Sequence, residues 1–269
     1  MQTSNGIPIL GFGTFPLRDD EVEQRVLMAL EVGFRHIDTA QIYGNEFHVG
    51  RALKASGIAR SELYVVTKVD PGNVGVGRFR PAVERSCEVL GGPVDLLLIH
   101  WPPEDTEVDA VIDQLVAAQQ AGFTRHIGVS NFPTSLMARA AARSPVPLIC
   151  NQVEFHPLLN QSKVMAAARR LGMTLAAYCP LGRGAALSDP TIMDIAKRHG
   201  RPEAEIVLRW IIQQGVVAIP MTTKRANAES NFRALSFTLP DGDMAAISAL
   251  GVRKRRLVSP ARMAGRWDE

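Results

Sequence analysis

Two rhythms of apolar and polar positions alternate along this chain. Short β-branched runs recur at residues 7–12, 35–39, 63–69, 94–100, 125–130, 148–154, 174–178 and 216–220, and such runs predict buried strands. Between them lie stretches with the 3.6-residue period of amphipathic helices, at 20–32, 46–56, 78–90, 107–121, 134–143, 162–171, 203–214 and 241–250. Gly33, Gly57, Gly122, Gly172 and Gly215 fall just beyond helical runs, where a left-handed cap ends a helix. Alternation of this kind predicts an α/β fold of repeated right-handed βα units. No Pro/Gly/Ser-rich linker or shift in composition divides the chain, so residues 1–269 read as a single domain.

A doubly wound open sheet is the competing α/β architecture, and it advertises a dinucleotide site as GxGxxG between its first strand and helix. Gly11-Phe12-Gly13-Thr14-Phe15-Pro16 places Pro16 where the third glycine belongs, and Gly182-Arg183-Gly184 is followed by Leu187 at that place. A P-loop is also missing from the sequence. The expected fold is therefore a (β/α)8 TIM barrel, whose strand ends converge on one rim. Three of the apolar runs end on ionisable residues, Asp38, Lys68 and His100, and Tyr43 follows the first run closely enough to join them.

Composition narrows the function. With 269 residues, 46% hydrophobic and 21% charged, the chain can bury a large core and is not disordered. A net charge of +3 with dispersed basic residues argues against nucleic acid as a partner. The one dense basic run, Arg253-Lys254-Arg255-Arg256, has no interleaved aromatics and reads as a solvated segment after the last helix. Cys87, Cys150 and Cys179 form no CxxC pair and fit a reducing cytoplasm. The N-terminus carries no basic stretch followed by an apolar one, and no segment approaches ~18 uninterrupted apolar residues, so a soluble protein without a membrane partner is expected.

A tyrosine beside a lysine can donate a proton near neutral pH, because the ammonium favours phenolate and lowers the tyrosine pKa. Tyr43 and Lys68 are placed to form that pair, with Asp38 as counter-charge and His100 as a neutral donor that orients a carbonyl oxygen. No GxSxG elbow is present and the histidines show no HExxH spacing, which argues against hydrolysis and against a metal site. Polarised-carbonyl chemistry remains, and its hydride must come from a cofactor.

These residues resemble the aldo-keto reductase family, and among its members the short prokaryotic, diketogluconate-reductase-like ones. Phe34 to Ala40 with Tyr43-Gly44-Asn45-Glu46 is similar to the family's first signature, Leu97 to Pro102 to its histidine segment, and Gly128 to Phe132 to its central signature. The resemblance implies a barrel capped by an N-terminal β-hairpin, an NADPH cofactor with NADH possible, a small-molecule carbonyl substrate, and a monomer. It gives Tyr43 the role of general acid, Asp38 and Lys68 that of its tuning pair, and His100 that of carbonyl orienter. It further implies that Ser130, Asn131 and Gln152 hold the carboxamide and that the Tyr178 ring stacks on the nicotinamide. Pro180, Leu181 and Gly182 resemble the loop along the pyrophosphate, Gly13 and Thr14 the backbone beside the nicotinamide. Phe15 and Trp101 match pocket walls, with Trp267 of the tail on the same rim.

One stretch departs from the family pattern. Where the family has Lys after Pro220, Arg at 227 and Glu at 230, this chain has Met221, Asn227 and Ser230. Met221 and Asn227 cannot pair with a 2′-phosphate, which points to weakened NADPH preference. Lys224 and Arg225 lie in the same loop beside Thr222 and Thr223, and long cationic side chains tolerate a shifted register. Asn231 matches the adenine-contacting asparagine.

Taken singly, Asp38 reads as a turn residue, Lys68 and Tyr43 as surface groups, His100 as a satisfied strand-end histidine, and Ser130-Asn131 as an N-cap for a helix at Thr134. Their convergence is what favours an NAD(P)H-dependent oxidoreductase. The competing function is a non-catalytic NAD(P)H-binding redox sensor.

Overall fold

The computed structural model describes residues 2–268. Eight parallel strands form one sheet in sequence order: β3 (Phe12–Gly13), β4 (His36–Asp38), β5 (Tyr64–Val69), β6 (Val94–Ile99), β7 (Thr124–Ser130), β8 (Leu148–Glu154), β9 (Thr174–Tyr178) and β10 (Val217–Ala218). The sheet closes on itself, because Leu10 bridges Ala218 in parallel and the Gly13 amide donates to the Pro220 carbonyl at 3.0 Å. This is the (β/α)8 barrel the pattern predicts.

The run at 7–12 is not one strand. Its first part, β2 (Ile7–Pro8), pairs antiparallel with β1 (Thr3–Ser4) in a hairpin, and only its end enters the barrel as β3. Asn5 and Gly6 both take positive φ (51° and 80°) at the hairpin turn, a conformation Asn-Gly tolerates well. The Ser4 hydroxyl contacts Thr174 Oγ1 at 3.0 Å, and the Asn5 amide donates to the carbonyls of Ile149 and Gly172. These contacts seat the hairpin beneath the barrel.

The helices are α1 (Asp19–Val32), α2 (Glu46–Ala55), α3 (Phe79–Leu90), α4 (Val108–Gln120), α5 (Thr134–Arg143), α6 (Ser162–Arg170), α7 (Pro190–His199), α8 (Glu203–Gln213), α9 (Arg225–Arg233) and α10 (Asp241–Ala249). Two of them, α7 and α9, have no counterpart among the predicted helices. The segment α7 begins at an Asp189-Pro190 cap, with the Asp189 carboxylate accepting from the Thr191 amide, and ends at Gly200 in the left-handed region. By contrast α9 buries only Ala228, Ser230 and Asn231, and so has no apolar stripe to betray it.

Strand periodicity positions the site. Residues two apart share a face, so β5 sends Tyr64, Val66 and Lys68 to the side opposite Val65, Thr67 and Val69, and β6 pairs Leu96 and Leu98 with His100 beyond its end. The lower members of these columns form an interior cluster with Cys150, Ala176, Val217, Ile219 and the hairpin's Ile7. Gly128 lies in this crowded interior, where a Cβ would stand 2.6 Å from the Cys150 carbonyl and 2.9 Å from Leu98 Cδ2. Outward-facing residues such as Val65, Leu97 and Ile99 pack on the helices in the main core. The polar rim therefore rests on an apolar floor filled in layers.

Candidate active site

Asp38, Lys68, His100, Gln152 and Tyr178 stand together above that floor. Lys68 is 0% exposed, and its ammonium donates to Asp38 Oδ1 at 2.6 Å, to the Thr39 carbonyl at 2.8 Å and to the Tyr43 hydroxyl at 3.4 Å. Asp38 Oδ2 accepts from Gln152 Nε2 at 2.7 Å, which ties β4 across the barrel to β8. Tyr43 ends a 3-10 turn over Gln41–Tyr43, right after β4. Its ring meets the His100 ring edge-on at 5.6 Å and the Phe15 ring at 5.1 Å.

Burial opposes each charge here, and neighbours decide the outcome. Desolvation pushes Lys68 down, but the Asp38 carboxylate and Tyr43 outweigh it and hold the ammonium above its ordinary range. Tyr43 reverses the expected direction: burial raises its phenol above the usual value, and the Lys68 charge only partly offsets that rise. Tyr43 is thus a firmly protonated donor. Burial, with the charges of Lys68 and Arg262, drops His100 to about 3, so its imidazole is neutral. His100 Nδ1 is enclosed without a partner, which leaves Nε2 as the ring nitrogen that reaches the cavity.

A cavity of about 890 Å³ opens over these groups, at the upper end of the size of small-molecule sites. Its walls include Phe15, Ile42, Tyr43, His100 and Trp101, together with Asn131, Gln152, Tyr178, Pro180, Leu181, Arg183 and Met221, and Gly13 and Thr14. Asn131 holds φ 62°, a left-handed conformation for a non-glycine residue at the end of β7. That turn sends its side chain to the His100 carbonyl at 3.0 Å and lets its oxygen accept from the Tyr178 hydroxyl at 2.8 Å. The Tyr178 ring is thereby fixed as a wall. Ser130 is absent from the cavity wall; its hydroxyl donates to the Gln152 carbonyl at 2.8 Å and braces Asn131. Nor do Ser130 and Asn131 cap α5, because the Asp268 carboxylate takes the Thr134 amide at 2.8 Å and its hydroxyl at 2.6 Å.

Farther out, Thr222 Oγ1 accepts from the Lys224 amide at 3.1 Å just before α9, Thr223 and Lys224 are exposed, and Asn231 is buried. Arg225 is already engaged with Glu31, and with Glu229 at 3.9 Å. The Gly182 turn follows Pro180 and Leu181, and Gly182 is buried with φ 60° beneath that loop.

Two groups escaped the sequence reading. Glu154 ends its apolar run as Asp38 does, and its buried carboxylate accepts from the Leu257 amide at 2.7 Å, the Val258 amide at 2.8 Å and His156 Nε2 at 2.9 Å. It moors the tail over the rim. The basic run 253–256 is not simply solvated, since Arg253 pairs with Asp189 at 2.6 Å and Arg256 lies 3.9 Å over the Trp267 ring.

A wall built of one ring, two amides and backbone, beside a protonated phenol and a neutral imidazole, is what a nicotinamide and a carbonyl require. The profile of the aldo/keto reductase family matches residues 9–251. The chain belongs to the aldo/keto reductase family. It is an NAD(P)H-dependent carbonyl oxidoreductase. A methylglyoxal reductase DkgB from Yersinia pestis is 42% identical over 266 residues, spanning 97% of this chain and 99% of that protein. A crystal structure provisionally named 2,5-diketo-D-gluconic acid reductase B is 42% identical, covers 100% of this chain and 98% of its own, and superposes with a TM-score of 0.97. An aldo-keto reductase of Bombyx mori in complex with NADP is 30% identical, with a TM-score of 0.89 over 96% of this chain and 94% of its own. Among the described residues, no helix is long and apolar enough to cross a membrane.

Proposed function

We propose that Tyr43 protonates the carbonyl oxygen of the substrate, that His100 Nε2 holds that oxygen, and that Lys68 and Asp38 set the proton affinity of the phenol. The observation that carries this reading is the Tyr43 hydroxyl, 3.4 Å from a fully buried ammonium and beside a neutral imidazole on the same cavity wall. Bound NADPH supplies the hydride that reaches the carbonyl carbon. Asn131 and Gln152 hold its carboxamide, with Ser130 bracing them from behind, and the Tyr178 ring covers one face of the nicotinamide. Pro180, Leu181 and Gly182 follow the pyrophosphate, Gly13 and Thr14 flank the nicotinamide, and Asn231 lies at the adenine end. Thr222, Thr223 and Lys224 gather at the start of α9, where free amides and the helix dipole favour a phosphate; Met221 contributes packing alone, and Arg225 is shared with Glu31.

Phe15, Ile42 and Trp101 form an apolar mouth suited to small aldehydes, keto sugars and dicarbonyls. We further take residues 1–269 to act as one domain and as a monomer, and place the protein in the cytoplasm, the last of these being supported by three free cysteines. The test is Tyr43→Phe. Its kcat for aldehyde reduction is expected to fall between about a hundredfold and ten-thousandfold, while NADPH still quenches the protein's fluorescence at the parent's concentration. Sustained NADPH oxidation by that variant overturns the assignment, and cofactor binding without turnover in the parent would instead mark a redox sensor.

A further inference from the structure

Tyr43 rides on a turn that packing does not hold. Ile42 is 56% exposed, Gln41 and Tyr43 are half-buried, and Gly44 closes the turn at φ 67°. Behind the turn, toward α3, lies a second cavity of about 320 Å³, with Gln41, Gly44, Glu46, Asn73 and Ser86 in its walls. The turn is backed by this space and not by the packed core, so polar contacts must fix where it stands.

Gln41 supplies those contacts. Its Nε2 donates to the Ala82 carbonyl at 3.1 Å and to Ser86 Oγ at 3.0 Å on α3, while its Oε1 accepts from the Asp70 amide at 2.9 Å and from Asn73 Nδ2 at 3.0 Å. A carbonyl only accepts and a backbone amide only donates, so the side chain has one orientation, and all four bonding positions of its amide are filled. Spacing along the chain makes the Asp70 contact the important one. Asp70 stands two residues after Lys68, and Gln41 two residues before Tyr43. A 2.9 Å bond therefore ties together the two segments whose side chains meet at 3.4 Å, Lys68 and Tyr43. On the other side of Tyr43, Asn45 holds the chain separately, donating to the carbonyls of Thr14 at 3.2 Å and Leu17 at 3.1 Å.

We infer that Gln41 is a positioning residue for the reaction, setting where the Tyr43 hydroxyl stands relative to Lys68 and to the substrate oxygen. The inference rests on the reading of Tyr43 as the proton donor. Gln41 is not among the residues that line the active cavity, so it acts only through the turn it anchors. Loosening that anchor displaces the donor and leaves the groups that bind cofactor and substrate in place. The transition state then loses stabilisation that the bound ground state keeps.

The experiment measures kcat and KM for 4-nitrobenzaldehyde, and the NADPH Kd by fluorescence quenching, in the parent, Gln41→Met and Asp70→Pro. Methionine keeps the length of the side chain and none of its hydrogen bonds. Asp70→Pro deletes the one amide that Gln41 Oε1 takes from the Lys68 segment, at a residue whose φ of −61° already suits proline. In Gln41→Met, kcat is expected to fall between about tenfold and a hundredfold, with KM and Kd within about twofold of the parent. Asp70→Pro falls in the same way by a smaller factor, since three of the four contacts remain. Single turnovers of Tyr43→Phe and of the double variant with Gln41→Met then read the coupling: once the hydroxyl is gone, losing Gln41 changes the residual rate by less than about twofold. A kcat within about twofold of the parent in both single variants overturns the inference. So does a residual rate in the double variant that drops by the full Gln41→Met factor, or loss of NADPH binding in both variants, because Gln41 would then support the barrel at large. A parent-like rate in Tyr43→Phe overturns the proton-donor reading itself.

Discussion

Replacing Asp38 with Asn tests whether the buried ion pair is what holds the site together. In the parent, Asp38 accepts from Lys68 at 2.6 Å and from Gln152 at 2.7 Å, one donor on each oxygen. An asparagine has one oxygen for two donors, so Gln152 must turn its amide or face another N–H. Lys68 keeps the Thr39 carbonyl and the Tyr43 hydroxyl but loses its counter-charge while 0% exposed. Breaking a buried pair by removing one partner costs about 3–5 kcal/mol, which in a chain of this size lowers Tm by on the order of 10 °C. The pH dependence gives a sharper signature. In the parent, Lys68 is raised above its ordinary value, so its contribution is complete below the unfolded lysine pKa of about 10.4 and is lost only as pH rises through the folded pKa. It therefore adds no slope between about pH 6 and 9. In the variant, desolvation acts without Asp38 and the folded pKa drops below the unfolded one. Above that lowered folded pKa the unfolded state binds more protons, and stability must rise with pH there. Urea melts at several pH values read this slope. A Tm loss under about 2 °C at neutral pH, or stability in Asp38→Asn that stays flat from neutral pH upward, would refute the reasoning.

Two further outcomes follow from the same geometry. With His100 held neutral down to about 3 and Tyr43 raised by burial, kcat/KM for carbonyl reduction should be flat from about pH 5 to about pH 9. Activity falls as pH rises through the Tyr43 pKa, because the acid must keep its proton; an activity limb centred between about pH 6 and 8 would contradict these protonation states. Lys224→Ala should weaken NADPH binding by about tenfold, the value of one charge-assisted phosphate contact, and leave NADH binding unchanged, whereas Arg225→Ala should have a smaller effect because Glu31 already holds that guanidinium. Titration of each cofactor by fluorescence quenching distinguishes the two variants.

The barrel and the four rim groups were legible because both depend on period-two alternation, which puts Asp38, Lys68 and His100 atop columns whose lower members are apolar. What escaped lacks that signal. The arms of the hairpin at Thr3–Ser4 and Ile7–Pro8 are too short to show a period, although Asn5-Gly6 is itself a turn signature. The helix over Arg225–Arg233 presents polar residues to its neighbours, and the one over Pro190–His199 could have been found from its Asp-Pro start and glycine stop. The direction of the Tyr43 shift was misjudged because a sequence shows that a lysine is near and not how completely both groups are enclosed. Glu154 was overlooked although its run ends on a carboxylate just as the run at Asp38 does; its partners are amides 103 and 104 residues away.

This division has a functional consequence. Asp38 and Lys68 sit on inward positions of β4 and β5, cross-linked by Asp38 to Gln152 on β8, with Tyr43 on the turn after β4 and His100 just beyond β6, so the geometry of these groups is set before any substrate arrives. The C-terminal strap over 257–268 has no such framework. It is held at its start by the Glu154 carboxylate, which accepts the Leu257 and Val258 amides, and it brings Val258 to the cavity wall. Substitutions at inward strand positions should therefore decide whether any carbonyl is reduced. Substitutions along the strap should decide which one, because they alter the rim without touching Tyr43 or His100.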